Sequence, residues 1–594
     1  MDVSINPLWW DSWENLTLTG YIRVRNNSIP AEVERKIIQV ARDNKMASVF
    51  TPKLQPLLDM HLKSMELRYD AFNLNKSDVS IVYSLLVIAF LVLLVASINF
   101  INLSRARSSK KGKEISMRKV VDSNKRHLSI QFLGESILLT LIAMLIALAL
   151  VEVFLPHLQP FLNKRLEFNI FKTPYILPFM LVMTIIIGIL SEIYPALMIS
   201  SFKPVKILKG GIQSGKKGTT SRRILVVSQF TVSIALILSV LIVISQIKYL
   251  ESIDFGYKKD NILVVPAFDE NITYQNDLFK EQIKSIPAVI SATRVRQLPG
   301  ATLPTAEVFF DHKNGDFGIM FAELFIDENF IETLDIDLLT GRNFSRDFPV
   351  DSSSSVLINE TALKMSGWDD PLGKEIIHIP AEGTDNYLTV VGVIKDIHFG
   401  KATRKVEPMV IHFDPRSNFL LIRTNGTQVE KTKEDLEMIF KEIWEERNFR
   451  IFDFSEIFNN QFFNEISFAN KIIVFASSAI FIACLGLFGL AVFITEQKTK
   501  EIGIWKVLGS SVRSVVFLLS KDFAKWVLLS NLIAWPLAYF AMNNWLQNFA
   551  YRTKINFWLF ILSGMIALII SIITVSFQTI KAANADPVKS LKYE

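Results

Sequence analysis

Two segments of the chain carry residue types suited to holding another molecule. The stretch 113–135, KEISMRKVVDSNKRHLSIQFLGE, aligns without gaps on 500–522, KEIGIWKVLGSSVRSVVFLLSKD. Lys113, Glu114, Ile115, Lys119, Val120, Ser123 and Arg126 match Lys500, Glu501, Ile502, Lys506, Val507, Ser510 and Arg513. Within 498–512, Ile502, Trp505 and Leu508 recur every three residues with charges between them, which predicts a short amphipathic helix. Gly509 supplies a stop, and Ser510-Ser511 a cap for the helix that follows. Such a helix does no covalent chemistry. It either lies on a membrane surface and anchors its loop, or it docks a cytoplasmic partner. Its use twice in one chain favours docking.

Other constellations lack a partner residue. Gly210, Gly215, Lys216 and Lys217 approach the spacing of a phosphate-binding loop, but the Ser/Thr that would hold Mg²⁺ is missing and no apolar strand precedes them. The segment reads instead as a basic linker against anionic lipid. Any ATP-derived energy must then come from another chain. The seven histidines are scattered; His398 and His412 lie in a soluble region, and no His/Asp/Glu group shows metal-ligand spacing along the chain. Cys484 is the one cysteine and sits in an apolar run, which excludes a disulfide framework or a Cys-rich metal site. The expectation is no enzyme, no cofactor and no metal. A net charge of +6 spread over 594 residues does not point to nucleic acid.

The elements that position the two segments are apolar blocks. Ile81–Phe100 runs 20 residues without a charge, and Ser136–Val151 is a second uncharged block; runs near 20 residues match the hydrocarbon thickness of a bilayer. Seven spans are predicted, near 79–103, 129–155, 175–200, 224–247, 470–495, 513–545 and 556–580. The sixth is interrupted by Lys521, Asp522 and Lys525. The loop 105–126 carries nine Lys/Arg and 203–223 carries seven, so these loops are assigned to the cytoplasm. Residues 1–78 and 251–468 then lie outside. The outer region mixes β-like runs (Asn261–Pro266, Ser355–Ile358, Leu388–Ile394) with an amphipathic helix at Glu430–Arg447, which predicts an α+β domain. Residues 1–78 read as a smaller relative, with a strand at Gly20–Val24 and a helix near Pro30–Asp43.

A second match, Pro204–Lys209 (PVKILK) on Pro587–Lys592 (PVKSLK), closes each half. The chain is thus read as two tandem copies of one unit: span, outer domain, span, inner helix, span, outer loop, span and basic tail. The expected domains are a partial first outer domain (1–78), a three-span bundle (79–205), a basic linker (206–223), the first span of the second unit (224–250), the large outer domain (251–468), a second three-span bundle (469–580) and a basic tail (581–594). The first copy lacks its opening span. The N-terminus has no basic, apolar leader, and an N-terminal portion is expected to be missing.

These residues carry a resemblance. KEIGIWKVLGSS and KEISMRKVVDSN resemble the segment after the second span of MacB/FtsX-type ABC transporter permeases. INFINLSRARSSKKGKEISMRKV (98–120) and SEIYPALMISSFKPVKILKG (191–210) resemble the eight-span, duplicated form. LLTGRNF (338–344), VLINETALKMSGWDDPLGKEI (356–376) and VVGVIKDIHF (390–399) resemble the MacB-like periplasmic core domain. The resemblance implies an α-helical integral membrane protein with α+β extracytoplasmic domains, built from two tandem FtsX-like four-span units, the first incomplete. It implies a multi-pass protein of the bacterial cytoplasmic (inner) membrane, in contact with lipid. A separate cytoplasmic ABC ATPase binds its inner face and moves the outer domains to export or extract a drug, peptide or lipoprotein. The alternative it implies is an FtsX-like regulator of a cell-wall hydrolase, without transport; a periplasmic adaptor or a hydrolase is the matching partner. The coupling residues matched to the family segment are Lys113, Glu114, Ile115, Arg118 and Lys119, and Lys500, Glu501, Ile502, Trp505, Lys506 and Gly509. The first copy departs at Asp122, which stands where the second has Gly509, so the first helix is expected to end differently.

Overall fold

The computed structural model describes residues 21–584 except 26, 44–51, 65–78, 121–124, 163–173, 202–215, 267–272, 311–317, 380–385, 401–403, 416–418, 445–448 and 461. Two compact units emerge. One draws on Met1–Val79, Tyr249–Phe463 and Phe549–Tyr551; the other on Ser80–Lys248, Asn464–Asn548 and Arg552–Glu594.

The helical unit has a helix at each of the seven predicted spans: Val79–Val120, Lys125–Leu162, Ile176–Ser201, Lys216–Ser252, Phe463–Gln497, Val512–Leu546 and Phe557–Ala583. Five contain a stretch long and apolar enough to cross a membrane: Val79–Ser104, Leu133–Pro160, Arg223–Ser252, Glu465–Glu496 and Phe557–Lys581. Of the other two, Ile176–Ser201 is a 26-residue helix that is apolar over its described stretch Ile176–Leu190. Val512–Leu546 is a 35-residue helix, but Arg513, Lys521, Asp522 and Lys525 dilute its first half. The apolar span that opens the second unit starts at Arg223, next to the predicted 224, while its helix begins at Lys216, so part of the expected linker is helical. Residues 206–215, the closing matches 204–209 and 587–592, and Asp122 lie outside the described residues.

Four helices of the second copy share one core. Phe230, Ile234 and Ile237 of Lys216–Ser252 meet Leu487, Leu490 and Ala491, Phe523 and Val527, and Ala567 and Val575 from the three later helices. Lipid tails are as apolar as these side chains, so close packing and interhelical hydrogen bonds must hold the bundle. Both are present. Gln229 Nε2 donates to the Ala483 carbonyl at 2.9 Å, Asn99 Nδ2 to the Ile482 carbonyl at 3.1 Å, and Ser530 Oγ to the Val227 carbonyl at 3.1 Å. Gly486 permits this approach: a Cβ there would lie 2.3 Å from Asn99 Oδ1 and 3.1 Å from Gln229 Nε2. Asn99 belongs to Val79–Val120, so the first copy joins the second copy's bundle at this point.

The other unit is α+β. Its strands are β1 (Ile262–Pro266), β2 (Val289–Val295), β3 (Thr305–Phe310), β4 (Ile319–Ile326), β5 (Leu338–Gly341), β6 (Ser355–Asn359), β7 (Glu375–Ile379), β8 (Asn386–Ile394), β9 (Met409–Phe413), β10 (Phe419–Thr424) and β11 (Phe452–Asp453). Strands β4, β3, β7, β8, β6 and β9 close into a ring, because β9 pairs back onto β4 in parallel from Ala322↔Met409 to Ile326↔Phe413. Its apolar filling includes Val308, Phe321, Val356, Ile358, Ile376, Leu388, Val390 and Val410. Beside the ring, the row β11-β1-β10-β2 carries helices Thr273–Gln282 and Val429–Ile443. Phe279, Leu436, Phe440 and Trp444 pack there on Leu263, Ala292, Leu420 and Ile422.

The motifs of this unit work on the fold. Asn359 caps helix Glu360–Ser366 by accepting from Ala362 N at 3.0 Å, accepts from Met409 N at 2.9 Å and donates to the Glu407 carbonyl at 3.0 Å. Asp396 accepts from the backbone N and hydroxyl of Thr361 at 2.8 and 2.7 Å. Arg342 forms two parallel bonds to buried Asp351, at 2.6 and 2.7 Å. These outweigh the upward push of burial and hold the Asp351 carboxyl below its ordinary range. Helix Pro30–Asp43 is present as expected, whereas Tyr21–Val24 forms no strand. The described residues there offer no partner edge, and an isolated strand leaves its backbone groups unpaired.

Candidate coupling surface

The second inner segment folds as a short helix, Thr499–Val507, directly after Phe463–Gln497. Lys498 breaks the long helix and caps the short one, with φ −96° and ψ 10°. The stop at Gly509 is as expected. Its φ of +88° is left-handed, its N–H bonds the Lys506 carbonyl at 3.0 Å, and the Ser510 N–H bonds the Trp505 carbonyl at 2.9 Å. These two bonds make the Schellman stop that glycine allows most cheaply. Ser511 then caps Val512–Leu546 by accepting from Ser514 N at 3.2 Å.

Ile502 holds the short helix down. It is 4% exposed and packs on Val515 and Leu519, with Ile494, Trp505 and Val512 around it. Leu508 differs from its expected place on this buried face. It follows the last helical residue, at the cap, and is 77% exposed. The outward face carries Ile504 (49% exposed), Val507 (68%) and Leu508, beside exposed Glu501. Glu501 Oε2 lies 3.8 Å from Lys498 Nζ, a distance that leaves the carboxylate largely to solvent. Lys506 is half-buried, and the Lys500 side chain lies outside the described ones. The surface is therefore an apolar knob with an acid at its edge, chemistry suited to a groove with a cation at its rim.

The first inner segment is built differently. Lys113, Glu114, Ile115, Arg118 and Lys119 lie on the last two turns of the continuous 42-residue helix Val79–Val120, where the backbone alone is described. The two sets of site residues thus share a sequence pattern and occupy different local structures.

In the α+β unit the fold brings together three groups that no spacing along the chain announces. Glu323, His378 and His412 converge, with one ligand atom of each within 4.8 Å of the others. They are 34 to 89 positions apart, so no short spacing announces them. The legible signal is alternation: FAELF, EIIHI and MVIHF each place one polar residue in register with inward apolar ones.

Comparison with known families assigns the chain. The model described as FtsX-like permease C-terminal matches twice, at 86–204 and 473–587, and the MacB-like periplasmic core domain matches 225–439. Together they cover about three quarters of the chain. The protein is an ABC-type membrane permease with an extracytoplasmic α+β domain, of a family that is not catalytic. It belongs to the MacB/FtsX-type ABC transporter permeases. Such permeases work with a cytoplasmic ATPase.

Solved structures similar to the chain include the periplasmic region of MacB from Actinobacillus actinomycetemcomitans (14% identity, 36% of this chain, 97% of that one, TM-score 0.25). Also similar are a domain of a putative permease from Porphyromonas gingivalis (19%, 33%, 90%, 0.24) and the extracellular domain of the noncanonic ABC-type transporter YknZ from Gram-positive bacteria (12%, 32%, 98%, 0.23). No curated protein matches the chain.

Proposed function

We propose that the chain is the membrane subunit of an ABC export or extraction system of the bacterial cytoplasmic membrane, driven by a separate ATPase that docks on the two inner segments. The observation that supports it most is the helix Thr499–Val507. It is clamped through Ile502 to the start of Val512–Leu546 and presents Glu501, Ile504, Val507 and Leu508 outward. A push on this face is transmitted through the packed Ile502–Val515–Leu519 contact into the bundle, because close-packed side chains move together. The adjoining helix Phe463–Gln497 follows the α+β domain in the chain, and Lys216–Ser252 precedes it. Motion of these two helices therefore reaches both ends of that domain. The cargo class is a drug, peptide or lipoprotein.

The test is purification in mild detergent from the native cell, with identification of associated proteins. An ABC ATPase is expected with the wild type and about tenfold less with Glu501→Lys, a loss of about 1.4 kcal/mol. Undiminished association would end the docking role. A cell-wall hydrolase in the eluate, in place of an export adaptor, would replace export with regulation. Labelling of Lys113 or Lys500 by an impermeant reagent on intact cells would overturn the inner-face assignment.

A further inference from the structure

The ring of β4, β3, β7, β8, β6 and β9 has an apolar interior with one exception on each of three strands. Glu323 shares its face with Phe321, His378 with Ile376, and His412 with Val410, by the two-residue period of a strand. His378 Nε2 lies 2.8 Å from Glu323 Oε1, and His412 Nε2 lies 3.2 Å from the same oxygen. The three side chains are 9%, 5% and 16% exposed for Glu323, His378 and His412. No Lys or Arg pairs with Glu323 among the described residues. A carboxylate taken out of water without a permanent cation is costly, and buried charges are ordinarily paired or bound to metal.

Two further observations point to a ligand. His412 Nε2 is buried and close to the carboxylate, yet it is not aligned for a hydrogen bond. Its ring is held in place by stacking on Phe325, with centroids 5.0 Å apart and planes 18° apart. Two imidazole nitrogens and a carboxylate oxygen form a donor set typical of zinc sites that keep one position open. Ligands about 2.0–2.1 Å from a shared tetrahedral zinc ion lie ~3.3 Å apart; the His412 separation of 3.2 Å matches this, and the His378 separation of 2.8 Å must widen slightly to admit the ion.

We propose that Glu323, His378 and His412 bind one divalent transition cation of the Zn²⁺ class inside this ring. The ion would tie β4, β7 and β9 together and leave one coordination position open. His412 is the most exposed of the three, so the ion reaches the site from its side. His378 Nδ1 is buried without a partner, so the second hydrogen bond that usually steadies a metal-bound histidine is missing. That places affinity about 10–100-fold below a fully supported site.

The experiment uses the full-length chain in detergent, stripped with chelator, and titrated with Zn²⁺ by calorimetry. One Zn²⁺ per chain is expected for the wild type and for His61→Gln, an exposed histidine elsewhere. Glu323→Gln and His412→Asn are expected to lose that binding. If either variant fails to fold, the wild type still decides. Excess Zn²⁺ over chelator should raise its Tm by a few degrees, and Co²⁺ should give the visible absorption of a low-coordinate nitrogen/oxygen site. Binding of less than a fifth of an equivalent by the wild type would overturn the proposal. So would full binding by folded Glu323→Gln and His412→Asn. Neither result bears on ATPase docking.

Discussion

The two inner segments share a sequence pattern and differ in local structure. In the second copy the long helix Phe463–Gln497 stops, Thr499–Val507 forms as a separate helix, and Gly509 closes it with a left-handed turn. In the first, Val79–Val120 runs unbroken through Lys113–Lys119. The two helices end at matching places, Val507 and Val120, so the difference lies where they begin: Lys498 breaks the helix in the second copy, whereas the matching Lys111 lies inside Val79–Val120. Trp505 stands where the first copy has Arg118, and it adds apolar contact to the group that holds Ile502. The first segment extends a long helix, whereas the second is a separate helix held on Val512–Leu546 through Ile502.

Four substitutions test this contrast, from the largest effect to the smallest. Ile502→Asp places an unpaired carboxylate among Ile494, Val515 and Leu519, so several kcal/mol are lost. The expected outcome is a strongly reduced yield of monodisperse protein on size-exclusion chromatography, and wild-type behaviour would show that the short helix is not clamped. Glu501→Lys leaves the fold intact and lowers ATPase association about tenfold. The matched change Glu114→Lys should have a smaller effect if the second copy is the main dock; equal losses would make the two copies equivalent. Gly509→Ala keeps the helix but strains its stop, at about 1 kcal/mol, readable as a Tm lowered by a few degrees. An unchanged Tm would show that the left-handed turn adds nothing to the stability of the helix end.

Much of the architecture was legible along the chain. The seven helices were marked by runs of apolar residues, and the duplication by Lys-Glu-Ile followed by Lys-Val, which the FtsX-like match then found at both places. Strands β1, β6 and β8 were visible as short β-branched runs. The helix at Val429–Ile443 was visible from its periodicity, although it ends before the predicted Arg447. Less was legible of the site. The buried anchor Ile502 was on the predicted face, but Leu508 was not, because helical periodicity continues in a sequence after the helix itself has stopped.

Hydropathy, helical period and stop residues are properties of neighbours in sequence, so the chain alone determined which segments are helices, where the second inner helix ends and that the unit occurs twice. What required the tertiary structure were contacts between distant residues: the parallel return of β9 onto β4 that closes the ring, and the meeting of Glu323, His378 and His412 within it. Strand order sets those contacts, and many strand orders are compatible with one pattern of alternation; only the folded sheet selects among them.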